Sequence, residues 1–258
     1  MLDFTAFYLV TQDDFCLEES CQSLKSQGVK KFVFCMPKTY WDGTALATLD
    51  VQRIKHLAEK FNAALHEVDV PNLKPLSARE AAIRNTMIKM IGGHVLIVDA
   101  DEWWAPGRLK ELETFIMERM SEATTINAVD VIGLPGYPVK SKSEGLLVHV
   151  YAPSVMFTYG RSTDVQPKAC KCGGVYHFTA TRRTTREIMV KNRRSCHYDD
   201  PDYDFNGWNA NVLPHIKPGL KNCHMFKRWV VWDEVRAFTL QEWGVIPPSL
   251  KQYLGKPI

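Results

Sequence analysis

The sequence lacks the features that would assign the chain to a special class of protein. No apolar run approaches the ~18 residues that a membrane-spanning helix needs. Residues 1–4 contain no basic stretch of the kind that precedes a secretory signal, and there is no internal repeat or low-complexity segment. We therefore expect a cytoplasmic protein without a transmembrane segment.

The sequence also lacks a strong excess of charge. Its 32 Lys and Arg residues against 29 Asp and Glu residues give a net charge of +3, which does not demand a polyanionic partner. The seven cysteines are an odd number, which in an intracellular chain favours reduced thiols over a disulfide framework. With 45% hydrophobic residues, the 258-residue chain can form one large α/β domain with a sizeable core.

Apolar periodicity predicts alternating strands and helices in the first half. We predict strands at residues 4–11, 31–35, 64–70 and 94–98, and helices at 15–26, 46–62, 77–91 and 106–120. Ser77 and Glu80 have the spacing of a capping box at the start of the third helix. This alternation is typical of a mainly parallel sheet with helices on both faces.

The second half has a different pattern. Strands are predicted at residues 129–134, 146–151 and 155–159, and a helix at 184–192. Residues 195–218, rich in Asp, Asn, Pro and Tyr, are predicted to be an irregular loop, and 226–243 to be partly helical.

An acidic motif, Asp99-Ala100-Asp101-Glu102, directly follows the buried strand at 94–98. In open parallel sheets, ligands bind beyond the carboxyl ends of the strands. Two carboxylates there can bind a hard divalent cation, which would neutralise the charge of a departing diphosphate. The alternative interpretation is a solvated acidic turn that closes a strand.

The surrounding residues resemble the core signature of family 2-like GT-A glycosyltransferases. Arg84-Asn85 lies on a helix, and Gly92-Gly93, the buried strand and the Asp-x-Asp motif follow. The resemblance implies a GT-A (Rossmann-like) fold, a nucleotide-diphospho-sugar donor, and Mn²⁺ or Mg²⁺. It also implies that residues 1–135 form the nucleotide-sugar-binding half. Residues 136–258, irregular toward the C-terminus, would form the acceptor-side half of the same domain.

The resemblance also implies roles for individual residues. Asp101 would bind the metal, Asp99 would contact the ribose or a metal-bound water, and Arg84 would lie near the diphosphate. The turns after the first two strands differ from the family pattern, so base recognition is assigned here to Thr11, Gln12 and Asp42. The full set of expected donor contacts is Thr11, Gln12, Asp42, Arg84, Asn85, Asp99 and Trp103.

Tyr176-His177-Phe178, followed by Arg182 and Lys191, is similar to a late stretch in the same family in which the histidine is a third metal ligand. An imidazole beside two carboxylates suits Mn²⁺ somewhat better than Mg²⁺. The alternative for His177 is a buried, hydrogen-bonded core histidine. Asp164 and Asp199 are candidates for the catalytic base of an inverting enzyme. Each is also explained as a solvated loop carboxylate, and the stereochemistry stays open.

Two further functions compete with this one. Lys191 and the pair Asp199-Asp200 would suit a phosphohydrolase of the haloacid dehalogenase type. A zinc-stapled nucleic-acid-binding module is favoured by the basic residues between 182 and 194 and by a group of zinc-ligand types: Cys170, Cys172, Cys196, His197, Cys223 and His224. The basic residues also leave open an anionic acceptor, such as a modified DNA base.

Overall fold

The computed structural model describes residues 2–11, 15–120, 123–141, 146–151, 157–158, 161–162, 168–182, 184–225 and 232–257. Ten of the described strands form one mixed sheet, whose main path has the order β12-β7-β6-β8-β4-β1-β2-β3. None of the helices in these ranges has both the length and the apolar character needed to cross a membrane.

Four parallel strands make up one end of this sheet, in the order β4-β1-β2-β3. They are β1 (Phe4–Leu9), β2 (Lys31–Pro37), β3 (Ala64–Val68) and β4 (His94–Val98). The helices of this half are α1 (Leu17–Ser26), α2 (Thr48–Phe61), α3 (Leu76–Ile91) and α4 (Arg108–Arg119). The predicted α/β class with a central parallel sheet is confirmed.

Successive side chains of a strand point to opposite faces, so β1 contributes to two hydrophobic clusters. Tyr8 packs in one cluster with Leu24 of α1 and Leu57 of α2. Phe7 packs in the other with Met87 of α3. Strands β1, β2 and β4 are buried on both faces, which explains their nearly continuous apolar sequence, whereas the edge strand β3 is more exposed.

The remaining strands extend the sheet with mostly antiparallel pairs, and β8 pairs with both β4 and β6. They are β5 (Glu102–Trp104), β6 (Ala123–Ile132), β7 (Tyr137–Ser141), β8 (Leu146–Tyr151), β11 (Lys168–Ala180) and β12 (Trp232–Val235). Strands β9 (Phe157–Thr158) and β10 (Arg161–Ser162) form a separate pair. Strand β11 runs parallel to β6 and antiparallel to β5, so it brings the late part of the chain to the end of β4.

The C-terminal part has more regular structure than predicted. Its helices are α5 (Thr185–Arg193), α6 (Phe205–Asn211), α7 (Leu240–Val245) and α8 (Pro248–Lys251), with one 3₁₀ turn at Leu213–His215. The prediction of an irregular loop over 195–218 is therefore wrong for α6, where the Asp204 carboxylate accepts the Gly207 N–H at 3.0 Å and caps the helix. The predicted partly helical character of 226–243 agrees with the start of α7 at Leu240, but residues 232–235 form β12, which pairs with β7; residues 226–231 lie outside the described part.

The predicted capping box at Ser77 and Glu80 is also wrong. Helix α3 begins one residue earlier, at Leu76. Its N-cap residue is Pro75, whose side chain cannot accept a hydrogen bond. The carboxylate of Asp199 instead accepts the Leu76 N–H at 3.1 Å. Glu80 is thereby left to pair with Arg84 one turn later, at 2.6 Å.

Candidate metal centre

The acidic motif lies where β4 leaves the sheet, as predicted. The four strand residues before it are buried, Asp99 is half-buried and Asp101 is 5% exposed. A turn closed by the Glu102 N–H on the Asp99 carbonyl, at 3.1 Å, reverses the chain into β5. The Phe178 N–H donates to the Asp101 carbonyl at 2.8 Å, which ties the motif to β11.

The register of β11 against β5 places His177 opposite Glu102 and hence beside the motif. One ligand atom from each of Asp99, Asp101 and His177 lies within 4.8 Å of the other two, the only such group of three or more in the described residues. The His177 Nε2 atom is 3.4 Å from Asp101 Oδ1. Two carboxylates and one imidazole are a donor set that fits Mn²⁺, and with less preference Mg²⁺.

Behind His177 lies a second layer of hydrogen bonds. Asp130 of β6 is 8% exposed, and its Oδ1 lies 2.9 Å from His177 Nδ1. Because an ionised carboxylate only accepts, Nδ1–H donates and the Nε2 atom faces Asp101. The Trp232 indole N–H donates to Asp130 Oδ2 at 2.7 Å and fixes that carboxylate. A carboxylate that orients a histidine in this way is the common outer-sphere arrangement of metal-binding histidines.

Sequence reasoning missed Asp130 and Trp232. A usable signal exists for Asp130, since a single acid inside the apolar strand run Ala128-Val129-Asp130-Val131-Ile132 implies a buried partner. Trp232 lies 102 residues further along the chain and gives no such signal, because its role depends on the pairing of β12 with β7.

Three positive side chains surround the two aspartates. The Arg84 Nη2 atom lies 2.7 Å from Asp99 and 2.6 Å from Glu80. The Arg182 Nη2 atom lies 3.2 Å from Asp101 Oδ2, and the Lys191 ammonium contacts the same oxygen.

These charges set the protonation of the site. Burial alone would raise the pKa of Asp101, but Lys191, His177 and Arg182 outweigh it and hold that pKa well below its usual range. Burial would lower the pKa of His177, but Asp101 and Asp130 outweigh it and raise that pKa well above its usual range. Metal binding through Nε2 would therefore displace a proton from His177.

Glu102, the last residue of the motif, forms no ion pair in the described structure. It is fully buried, and neither carboxyl oxygen has a hydrogen-bond partner among the described residues. Burial, with the negative charge of Asp99, raises its pKa well above the usual range. A neutral carboxyl group is the form that such a position favours.

The other predicted site residues lie in varied surroundings. Thr11 is half-buried just after β1, and Asn85 is half-buried beside Arg84 on α3. Asp42 is exposed and accepts hydrogen bonds from the Thr44 backbone N–H, at 2.9 Å, and from its hydroxyl, at 2.6 Å. Gln12 lies outside the described residues.

Trp103 and Asp199 both make contacts that stabilise the fold. Trp103 is 4% exposed, and its ring packs against Tyr176 with 5.8 Å between centroids. Asp199 holds the start of α3 and lies 3.3 Å from the Lys74 ammonium. The other candidate base, Asp164, lies outside the described residues.

Three of the cysteines that suggested a zinc site do not converge in the described part of the chain. Cys170, Cys196 and Cys223 are buried in three different hydrophobic clusters. Burial raises the pKa of the Cys223 thiol to about 11 and, with Glu80, raises that of Cys196 well above its usual range. Among the described residues, these thiols belong to no group of three or more converging metal-ligand atoms, so they do not form the expected site.

No protein-family model and no curated protein matches the chain. Among solved structures, S. aureus TarS 1-349 in complex with UDP-GlcNAc has a TM-score of 0.47 and 15% identity, over 82% of this chain and 76% of that one. The mannosyltransferase PcManGT from Pyrobaculum calidifontis, in complex with GDP-Man and Mn²⁺, has a TM-score of 0.47 and 12% identity, over 75% of this chain and 61% of that one. The inositol-1-phosphate CTP transferase from T. maritima has a TM-score of 0.44 and 12% identity, over 74% of this chain and 96% of that one. These are similarities of backbone arrangement, at identities too low to relate individual residues.

Proposed function

We propose that the protein is a metal-dependent glycosyltransferase of the GT-A type, which moves a sugar from a nucleotide-diphospho-sugar to an acceptor hydroxyl. The observation that carries this proposal is the meeting of Asp99, Asp101 and His177 at the carboxyl end of β4. His177, distant in sequence from the two aspartates, joins them at the edge where ligands bind in parallel sheets, and all three are of a metal-ligand type.

In this proposal, Asp99, Asp101 and His177 hold Mn²⁺ or Mg²⁺, which when bound supplies charge neutralisation for the departing nucleoside diphosphate. The chain's own cations have a second part. Arg84 is fixed by Glu80 and holds the Asp99 carboxylate in place. Arg182 and Lys191 add positive charge on the same side of the motif, which suits an anionic leaving group.

We place the donor and the acceptor in the two halves of the chain that the sequence suggests. We assign the donor to residues 1–135, with contacts from Thr11, Gln12, Asp42, Arg84, Asn85 and Asp99, and the acceptor to residues 136–258. The parallel end of the sheet, β4-β1-β2-β3, lies within the first region and supports this assignment. Asp164 remains our candidate for the catalytic base. The contacts of Asp199 with Leu76 and Lys74 favour a structural role for that residue.

A screen of nucleotide-sugars tests the proposal. UDP-, GDP-, CMP- and dTDP-sugars are added with and without Mn²⁺ while thermal unfolding and slow release of the nucleotide are followed. We expect one donor class to stabilise the protein only with Mn²⁺ and to be hydrolysed slowly, and Asp101→Asn to abolish the release. Asp69→Asn is the matched control, because that carboxylate is 85% exposed and pairs only with a surface lysine in the described structure. The proposal would be contradicted if every donor gave the same thermal unfolding and the same nucleotide release with and without Mn²⁺.

One observation favours a second function. Lys191 contacts Asp101, as the late lysine of a haloacid-dehalogenase-type phosphohydrolase would. In that function Asp99 would attack a phosphate ester, yet Asp99 is paired with Arg84, and the bulky Trp103 stands two residues after Asp101, where that family needs a small side chain. Release of inorganic phosphate from phosphomonoesters, lost in Asp99→Asn, would favour this alternative.

A further inference from the structure

The Asp101 carboxylate is contacted by two cations that differ in how firmly they are held. Arg182 is buried, and its guanidinium also donates to the carbonyl oxygens of Phe178 and Thr181. Lys191 lies in the last turn of α5, and its ammonium also donates to the Thr179 carbonyl at 3.0 Å.

Lys191 is the less enclosed of the two. Its side chain is 23% exposed, against 6% for Arg182. A lysine ammonium is a compact charge on a flexible stem, whereas the planar guanidinium of Arg182 is held by several acceptors at once. Lys191 can therefore leave Asp101 toward solvent without opening the core, and Arg182 cannot.

A divalent cation at Asp99, Asp101 and His177 would bind the carboxylate that Lys191 contacts. Two positive groups that contact one carboxylate, in a site largely screened from water, repel each other strongly. Arg84 and Arg182 are buried and held by other acceptors, so Lys191 is the positive group whose departure can relieve the repulsion.

We propose that Lys191 competes with the divalent cation for Asp101, so that cation binding requires the ammonium to move off that carboxylate. The inference rests on the metal site of the proposed function. A displaced Lys191 lies beside the motif, where the diphosphate of a donor would accept its hydrogen bonds. A donor that holds the displaced ammonium would keep it away from Asp101, and a bound cation would keep the ammonium free to contact the donor. Donor and cation would therefore strengthen each other's binding.

Titration with Mn²⁺ alone, followed by electron paramagnetic resonance, tests the competition. Lys191→Met removes the charge and keeps the length of the side chain. We expect it to bind Mn²⁺ about tenfold more tightly than the wild type, the reverse of what loss of a ligand or of a purely structural residue would do. Arg193→Met is the matched control, because Arg193 is exposed at the same end of α5. Its effect should stay within about twofold, since solvent screens it.

A second variant keeps the test decisive if Lys191→Met does not fold. Lys191→Arg retains the charge and can grip Asp101 through two N–H groups, so it should bind Mn²⁺ more weakly than the wild type. The inference is overturned if Lys191→Met binds Mn²⁺ no more tightly than Arg193→Met, or if Lys191→Arg binds it as well as the wild type.

These outcomes are separate from the fate of the proposed function. Tighter Mn²⁺ binding by Lys191→Met, in a protein that binds no nucleotide-sugar, would leave the competition standing and reject the glycosyltransferase. Turnover of a nucleotide-sugar with unchanged Mn²⁺ affinity in Lys191→Met would do the opposite.

Discussion

Replacing Asp130 by Asn tests whether the hydrogen bonds behind His177 control the metal site. The carboxylate accepts two N–H groups, from His177 at 2.9 Å and from Trp232 at 2.7 Å, and it is buried. An asparagine side chain has the same shape but offers one acceptor oxygen and one NH₂ group. One of the two donors must therefore lose its acceptor.

Each orientation of the new amide has a cost. If its oxygen faces Trp232, its NH₂ group faces His177 and favours the tautomer with the proton on Nε2, which then has no lone pair for a metal. If its oxygen faces His177, the buried indole N–H is left without a partner. Loss of one hydrogen bond to a charged group costs about 1.5–3 kcal/mol. Changes behind a metal-bound histidine typically weaken metal binding by about 10- to 100-fold.

Mn²⁺ titration and thermal unfolding of Asp130→Asn measure these effects together. We expect Mn²⁺ affinity to fall by about 10- to 100-fold, and the melting temperature to fall by several degrees. Asp50→Asn is a suitable control, because Asp50 accepts the Tyr40 hydroxyl at 2.7 Å, on a residue pair separate from the Asp130 hydrogen bonds. An Asp130→Asn protein that melts earlier but binds Mn²⁺ within twofold of wild type would show that Asp130 supports the fold and not the metal site.

Two further changes test the surroundings of the motif. Arg84→Lys keeps the charge but loses the planar group that joins Glu80 to Asp99, so we expect a loss of about 1–3 kcal/mol in unfolding free energy and weaker Mn²⁺ binding; unchanged values in denaturant and Mn²⁺ titrations would contradict the bridging role. Glu102→Gln tests the raised pKa of Glu102. The stability that protonated Glu102 contributes to the wild-type protein is fully present below the unfolded-state pKa of about 4.3. It is lost, at about 1.4 kcal/mol per pH unit, as the pH rises toward the folded-state pKa. Glu102→Gln lacks this loss, so it should be the more stable protein at pH 8 and nearly equal at pH 4. A variant that is less stable than wild type at pH 8 would refute the neutral, unpartnered carboxyl group.

Local signals in the sequence were enough for the elements that are stable by burial alone. Strand β4 coincides with the predicted residues 94–98, because a continuous apolar run with glycines before it and acids after it has few other interpretations. The same reasoning located the acidic motif at its end. The proximity of His177 to that motif was anticipated from a family resemblance, and the structure supplies its physical cause, the pairing of β11 with β5.

The sequence could not predict elements whose stability depends on distant partners. Strand β12 has two polar residues at its centre, and its identity as a strand follows from pairing with β7. The start of α3 was misplaced because its cap comes from Asp199, 123 residues away. The contacts of the two cations with Asp101 also depend on distant partners. The positions of Arg182 and Lys191 in the sequence do not indicate which carboxylate each of them will contact.

The most direct test of the metal site is pulsed electron paramagnetic resonance of Mn²⁺ bound to the wild-type protein. The account predicts a nitrogen coupling from the His177 imidazole, which disappears in His177→Gln while weaker Mn²⁺ binding through Asp99 and Asp101 remains. A bound Mn²⁺ whose spectrum shows no nitrogen coupling, or shows one that survives in His177→Gln, would contradict it.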